Sequence, residues 1–221
     1  MGKLIVLEGL DGSGKSTQLD LLEKSLNDLK INIKKVSFPE YERESSAPVR
    51  MYLNGEFGSN PNDVNAYAAS VFYAVDRYAS FKLSWEDFYN NGGTVISGRY
   101  TTSNIIHQCS KLRDEEKENF INWLYDLEFE KMAIPKPDLV IFLDMPIEVS
   151  QKLLLKRYKG EEAKKDIHEK DTEYLKICRK TALLAAEKLG WFVVECSKNG
   201  EAKTIEEISN DILKKVKEVI K

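Results

Sequence analysis

The sequence predicts an α/β protein, a three-layer α/β/α sandwich built on a five-stranded parallel sheet, and three observations lead there. Five short runs rich in β-branched and aromatic residues alternate with longer stretches of helical periodicity: LIVLE (4–8), IKKVSF (33–38), TVIS (94–97), LVIFL (139–143) and WFVVE (191–195). Several of these runs are nearly continuous Val, Ile and Leu, the pattern of strands covered on both faces. The 221 residues suffice for one substantial core, and no linker, repeat or low-complexity tract divides them.

The elements follow in order. LIVLE leads into a glycine-rich turn and then a helix whose apolar face is Leu19, Leu22, Leu26 and Leu29. IKKVSF precedes an aromatic-rich helical stretch at 64–90. TVIS stops on Gly98 and is followed within ten positions by Arg99, Tyr100, Ser103, Asn104 and Gln108, a row of polar groups at the end of a buried strand. LVIFL ends on Asp144. WFVVE precedes a last helix, with Ile205, Ile208, Ile212, Val216 and Val219 on one side. The charged run YKGEEAKKDIHEKD (158–171) is the one stretch that reads as a mobile segment, or as a solvated helix face. Ligands of such sheets gather at the C-terminal ends of the strands.

Charged residues make up 31% and hydrophobic residues 42%, with a net charge of -3, so no basic excess calls for nucleic acid or a membrane surface as a partner. An apolar run of only four residues precedes Glu8, too short for a signal-peptide core or a membrane span, and a cytoplasmic protein is expected. Cys109, Cys178 and Cys196 are odd in number and lack CxxC spacing. They read as reduced, partly buried thiols with neither a disulfide framework nor a zinc site.

The chemistry is carried by GLDGSGKSTQ, in which Gly9, Gly14, Lys15 and Ser16 fit the phosphate-loop pattern G-x-x-x-x-G-K-[ST] between a strand and a helix. Glycines let the backbone curl around anionic oxygens, amides at the helix start point at them, and Lys15 adds charge. Gly9, Asp11, Gly12, Ser13, Gly14, Lys15, Ser16 and Thr17 are the expected nucleoside triphosphate contacts, with the Ser16 hydroxyl on Mg²⁺. The chain is expected to be of the phosphate-loop NTPase type. It has no N-K-x-D guanine signature and no D-x-x-G after a second strand, so the GTPase class recedes.

LEGLDGSGKSTQ also resembles the opening of thymidylate kinases, including Glu8 before the loop and Asp11 inside it. Further segments match in the same order: SFPE (37–40), FYAVDR (72–77), GRYTTSNIIHQ (98–108) and KPDLVIFLDMPIEVS (136–150). The resemblance covers nearly the whole chain. It implies transfer of the ATP γ-phosphoryl group to thymidine monophosphate, with Mg²⁺, in a homodimer, for which the aromatic-rich 64–90 helix is the candidate surface. Another nucleotide kinase of the same fold, or a non-catalytic nucleotide-binding relative, is the alternative.

On the acceptor side the resemblance implies Asp11, Phe38, Pro39, Phe72, Tyr73, Arg77, Arg99, Ser103, Asn104, His107 and Gln108. Tyr73 and Arg77 are four apart and share a helix face, which suits a stacked pyrimidine with a guanidinium at its carbonyl. Spacing alone favours an aromatic core stripe with a surface arginine, and the resemblance reverses that reading; Phe72 is a neighbouring candidate for the stack. Arg99 offers a fork of donors to a monophosphate. Lys15, Arg99, Arg157, Lys164 and Lys165 are the expected catalytic cations, the last three in a lid at about 158–171. Asp144 either resembles a Walker-B acid reaching Mg²⁺ or caps the helix starting near Pro146.

Gly12 occupies the loop position where some relatives carry a basic residue and others glycine. Three positions stand apart from common patterns of the family. Tyr41 stands where many carry arginine, with Arg43 as a substitute only if the loop turns differently. His107 replaces a tyrosine, and Gly98 an aspartate.

Overall fold

The computed structural model describes residues 1–60, 62–157 and 172–220. The expected lid at 158–171, with Lys164 and Lys165, lies outside them, as does the side chain of Arg157. Strands β1 (Lys3–Gly9), β2 (Ile33–Ser37), β3 (Thr94–Gly98), β4 (Leu139–Asp144) and β5 (Phe192–Glu195) form one parallel sheet in the order β2-β3-β1-β4-β5. The five-stranded parallel sheet is as expected, with β1 at its centre.

The continuous apolar run of β1 resolves into two alternating faces. Ile5 and Leu7 pack with Leu19, Leu22 and Leu26 of α1 (Lys15–Asp28), and with Ile208, Ile212 and Val216 of the C-terminal helix. Leu4 and Val6 face the opposite layer, where Trp85, Phe120, Leu124, Leu175 and Cys178 pack. Both faces being dry explains why no polar residue alternates along this strand. Each fully buried Leu or Ile contributes about 1.5–3 kcal/mol. Leu29 is exposed because α1 ends one residue earlier and Leu29 is its C-cap.

Helices α2 (Ala47–Leu53) and α3 (Ala66–Ser80) follow β2. Asn65 caps α3 by accepting from the Ala68 amide. The expected single stretch to residue 90 is interrupted, since α3 passes through a π-helical turn at Phe81–Trp85 into α4 (Glu86–Asn90). Next come α5 (Thr101–His107) and α6 (Asp114–Tyr125), the latter running into a second π-helical turn at Asp126–Lys131. Helices α7 (Ile147–Arg157), α8 (Thr172–Leu189) and α9 (Ile205–Val219) complete the two outer layers. Thr204 and Glu207 form a capping box at the start of α9, and Ile205 in its first turn is exposed.

One element was not expected from sequence: a two-stranded antiparallel hairpin of β6 (Ser197–Lys198) and β7 (Glu201–Ala202). Its turn residues Asn199 and Gly200 both have positive φ, 54° and 79°. Asn-Gly is the pair such a two-residue turn favours. All three cysteines are buried, more completely than expected, and unbridged. Burial pushes the thiols of Cys109 and Cys178 up to about 11 and that of Cys196 to about 12. Among the described residues no helix is long and apolar enough to cross a membrane.

Candidate active site

The loop between β1 and α1 follows from its glycines. Gly12 and Gly14 have φ of 77° and 84°, the left-handed region that side chains disfavour. A Cβ on Gly12 would also stand 2.7 Å from the Ser150 carbonyl oxygen and 2.9 Å from Leu154 Cγ on α7. Lys15 opens α1 and its Nζ donates to the Gly9 carbonyl at 3.2 Å, so the ammonium curls back over the loop. The expected triphosphate contacts from Asp11 to Thr17 line a cavity of about 500 Å³, with Leu153 and Leu154 of α7 and with Lys203 and Ile205 at the start of α9.

A second cavity of about 360 Å³ shares Asp11, Lys15 and Ser16 with the first, and thus adjoins it at the loop. Its remaining wall contains Ser37, Phe38, Pro39, Tyr41, Leu53, Tyr73, Arg77, Arg99, Ser103, Asn104, His107 and Gln108. The structure therefore brings together every acceptor-side residue expected from the sequence except Phe72. That ring packs instead against Tyr52 and Phe57, with centroids 6.5 and 5.6 Å away. Of the two neighbouring aromatics, Tyr73 faces the cavity.

Arg99 sits at φ 66°, and its guanidinium folds back toward the loop. Nη2 donates to Asp11 Oδ1 at 2.6 Å, and Nη1 lies 3.0 Å from His107 Nε2. Since arginine only donates, His107 accepts through Nε2. Burial opposes the charge of Arg99, but the neighbouring Asp11 and Glu8 outweigh it, and its pKa is raised.

Arg77 is the most enclosed charge in the cavity wall, with 1% of its surface exposed. Its Nε and Nη2 donate to Glu128 Oε2 and Oε1 at 2.7 and 2.6 Å, a two-point pair with a carboxylate that is itself 0% exposed. Thr101 Oγ1 donates to the same carboxylate at 2.8 Å. Glu128 comes from the π-helical turn after α6, 51 residues away in sequence. Sequence reading missed it: nothing in its spacing marks it as the partner of Arg77. Burial works against the Arg77 charge, Glu128 compensates, and the pKa is raised.

An amide of this wall is also committed on one side. Asn104 Nδ2 donates to the Ser70 carbonyl at 3.3 Å. The buried Oε1 of Gln108 has no hydrogen-bond partner among the described residues. Two adjoining cavities, one against a phosphate loop and one lined by arginines and amides, suit two phosphorylated ligands.

The model of the thymidylate kinase family matches residues 7–212. The chain belongs to the thymidylate kinase family. It is 32% identical over 215 residues to a probable thymidylate kinase of Methanocaldococcus jannaschii, covering 97% of this chain and 96% of that one. A probable thymidylate kinase of Pyrobaculum aerophilum is 28% identical over 220 residues, covering 98% and 97%. Among solved structures, thymidylate kinase from Candida albicans superimposes with a TM-score of 0.71 at 22% identity, covering 100% of this chain and 94% of that chain, a likeness of fold.

Within the thymidylate kinase frame, the positions that stand apart now have physical settings. Arg43 does not replace an arginine at Tyr41: its guanidinium is paired with Glu40 and Ser84. A Cβ on Gly98 would meet Leu19 Cδ2 at 3.0 Å and Ser37 Oγ at 3.1 Å, so the room for a carboxylate is partly taken by Ser37. Asp144 lines neither cavity; both its oxygens accept from Arg179 of α8, at 2.6 and 2.8 Å. The pair ties β4 to α8. Gly12→Arg, which would bring in the loop cation of some thymidylate kinases, is expected to destabilise the protein by roughly 2–6 kcal/mol through left-handed strain and overpacking. Urea denaturation checks this; a variant as stable as wild type would show that α7 yields to the side chain.

Proposed function

We propose that the protein transfers the γ-phosphoryl group of ATP to the 5′-phosphate of thymidine monophosphate, yielding thymidine diphosphate and ADP. The observation that carries this reading, for a chain of the thymidylate kinase family, is the pair of cavities meeting at Asp11, Lys15 and Ser16. ATP takes the larger cavity, with its phosphates on the loop amides and Lys15. The acceptor takes the smaller one, its pyrimidine between Phe38 and Tyr73 and its carbonyl toward Arg77. Arg99 meets its phosphate.

A phosphate monoester has a second pKa of about 6, so the acceptor is largely a dianion at neutral pH and needs no strong general base. The site's task is to align two mutually repelling anions and supply positive charge. Mg²⁺ bound with ATP supplies part of that charge. Ser16 is the residue to hold it, because Asp11 is engaged by Arg99 and Asp144 by Arg179. No cluster of three or more potential metal-binding side chains exists among the described residues, which fits an ion held mainly by phosphates and water. Arg157, Lys164 and Lys165 complete the charge as lid cations on the strength of the family resemblance.

We also read the enzyme as a cytoplasmic homodimer that binds nucleotides and not nucleic acid. A stripe on α3, Tyr67, Val71, Val75 and Tyr78, is exposed and apolar at helical spacing and supports α3 as the dimer surface. A net charge of -3 and three buried thiols suit the location and partners.

The test is a coupled assay of ATP consumption against a panel of nucleoside monophosphates. Thymidine monophosphate is expected to exceed cytidine monophosphate in kcat/KM by at least about 100-fold, since the donor face of Arg77 meets a carbonyl in one and an amino group in the other. Equal values for the two would remove the assignment of Arg77 and, with it, the acceptor.

A further inference from the structure

We propose that Glu8 is a positioning residue for this transfer: it clamps the backbone turn that follows Arg99 and so keeps the Arg99 guanidinium aimed at the junction of the two cavities. The inference rests on the functional reading above and adds a residue that lines neither cavity.

Glu8 stands on β1 immediately before the first loop glycine and is 0% exposed. Its Oε1 accepts from the Tyr100 amide at 3.0 Å and the Thr102 hydroxyl at 2.6 Å. Its Oε2 accepts from the Ser103 hydroxyl at 2.7 Å. All three donors lie within four residues, the Tyr100 N-cap of α5 and the first turn of that helix. A buried carboxylate committed wholly to one turn is a device for fixing that turn's geometry.

The turn needs fixing because Arg99 holds a left-handed conformation, which a residue bearing a side chain adopts only when its surroundings enforce it. Three hydrogen bonds enforce it here, one of them from the Ser97 hydroxyl to the Arg99 carbonyl at 2.6 Å. The Arg99 amide donates to the Leu7 carbonyl at 3.1 Å, and the next amide, Tyr100, donates to Glu8. With the backbone so held, the guanidinium returns over the loop and reaches Asp11. An extended residue 99 would direct its Cα–Cβ bond elsewhere.

Glu8 also sets the chemical sense of one wall position. Ser103 lines the acceptor cavity, but its hydroxyl proton is committed to Glu8. Toward a ligand it therefore offers lone pairs, and the ligand group beside it must be a donor.

The experiment is steady-state kinetics with ATP and thymidine monophosphate on the full-length wild type, Glu8→Gln, Arg99→Ala and the double variant, each with a thermal melt. Glutamine keeps the volume but presents one acceptor oxygen instead of two. Glu8→Gln is expected to lower kcat about 10- to 100-fold with KM for ATP within about threefold, the size of effect a small misplacement of a reacting group produces. In the Arg99→Ala background the same change is expected to cost almost nothing further, because the two residues act as a unit. An unchanged kcat in Glu8→Gln, or losses that multiply in the double variant, would overturn the proposal. Should Glu8→Gln fail to fold, Thr102→Val removes one donor at nearly constant volume and is read by the same cycle. Coupling to Arg99 then supports the proposal, and independence overturns it. Wild-type turnover is scored separately: its absence sinks the functional reading, whereas its presence beside an unaltered Glu8→Gln sinks only the role of Glu8.

Discussion

Lys15→Ala is expected to lower the turnover number about 10²- to 10³-fold, the usual cost of losing one group aimed at developing charge. The expectation follows from where the ammonium lies. Lys15 is shared by both cavities and belongs to neither large core cluster. Its Nζ rests on the Gly9 carbonyl, at the place where the phosphates of ATP are proposed to meet the loop. Removing it takes away charge at the transferring group without opening a void. Alanine is also the best helix former for the first position of α1. The variant should therefore melt within about 2 °C of wild type, as surface changes of about 0.5 kcal/mol do in a chain of this size. Turnover within a few-fold of wild type would remove the phosphate-loop argument, whatever the melt showed.

The largest effect on stability is expected at Glu128. Glu128→Gln leaves the Arg77 guanidinium buried with its charge uncompensated, a change that costs about 3–5 kcal/mol. In a domain of this length that lowers the melting temperature by roughly 6–20 °C. Acceptor binding should weaken as well, because the carboxylate is what holds the fork of Arg77 in its orientation beside the cavity. The two consequences separate in the double variant Arg77→Leu with Glu128→Leu. Replacing both ends of a buried pair by apolar side chains is often neutral or stabilising, so the melt should recover while acceptor KM stays high. A Glu128→Gln protein that melts like wild type would mean that Arg77 has found another anion. Recovery of acceptor KM in the double leucine variant would mean that Arg77 does not read the base.

The sheet was legible in the sequence because its central strands β1, β3 and β4 are dry on both faces and are written largely in Val, Ile and Leu. The loop was legible because Gly9, Gly14, Lys15 and Ser16 fit the phosphate-loop pattern between a strand and a helix. The polar row after β3 was legible as a site through the family resemblance, since Ser103, Asn104 and Gln108 taken alone read as a helix N-cap and surface residues. What escaped depended on distant partners. Glu128 and Glu8 look like ordinary acids until the fold sets them against Arg77 and the 100–103 turn. Asp144 suits a metal by its place after a strand, yet Arg179 from a later helix takes both its oxygens. Phe72 and Tyr73 are adjacent, and only the roll of α3 decides which one faces the cavity. The π-helical turns arise from packing and carry no local mark. The hairpin differs from these: Asn199-Gly200 was a local signal, passed over because its strands are only two residues long.

The buried cysteines make the protein its own probe of local opening. Cys109 lies beyond α5, Cys178 within α8 and Cys196 just after β5, each at 1% exposure or less. A thiol reagent reaches such a group only when the surrounding structure parts, so its labelling rate measures the free energy of that opening. Three sulfurs in three regions thus divide one global stability into separate local ones. Any nucleotide that closes the acceptor wall would register as slower labelling nearby before it registers in a melting curve.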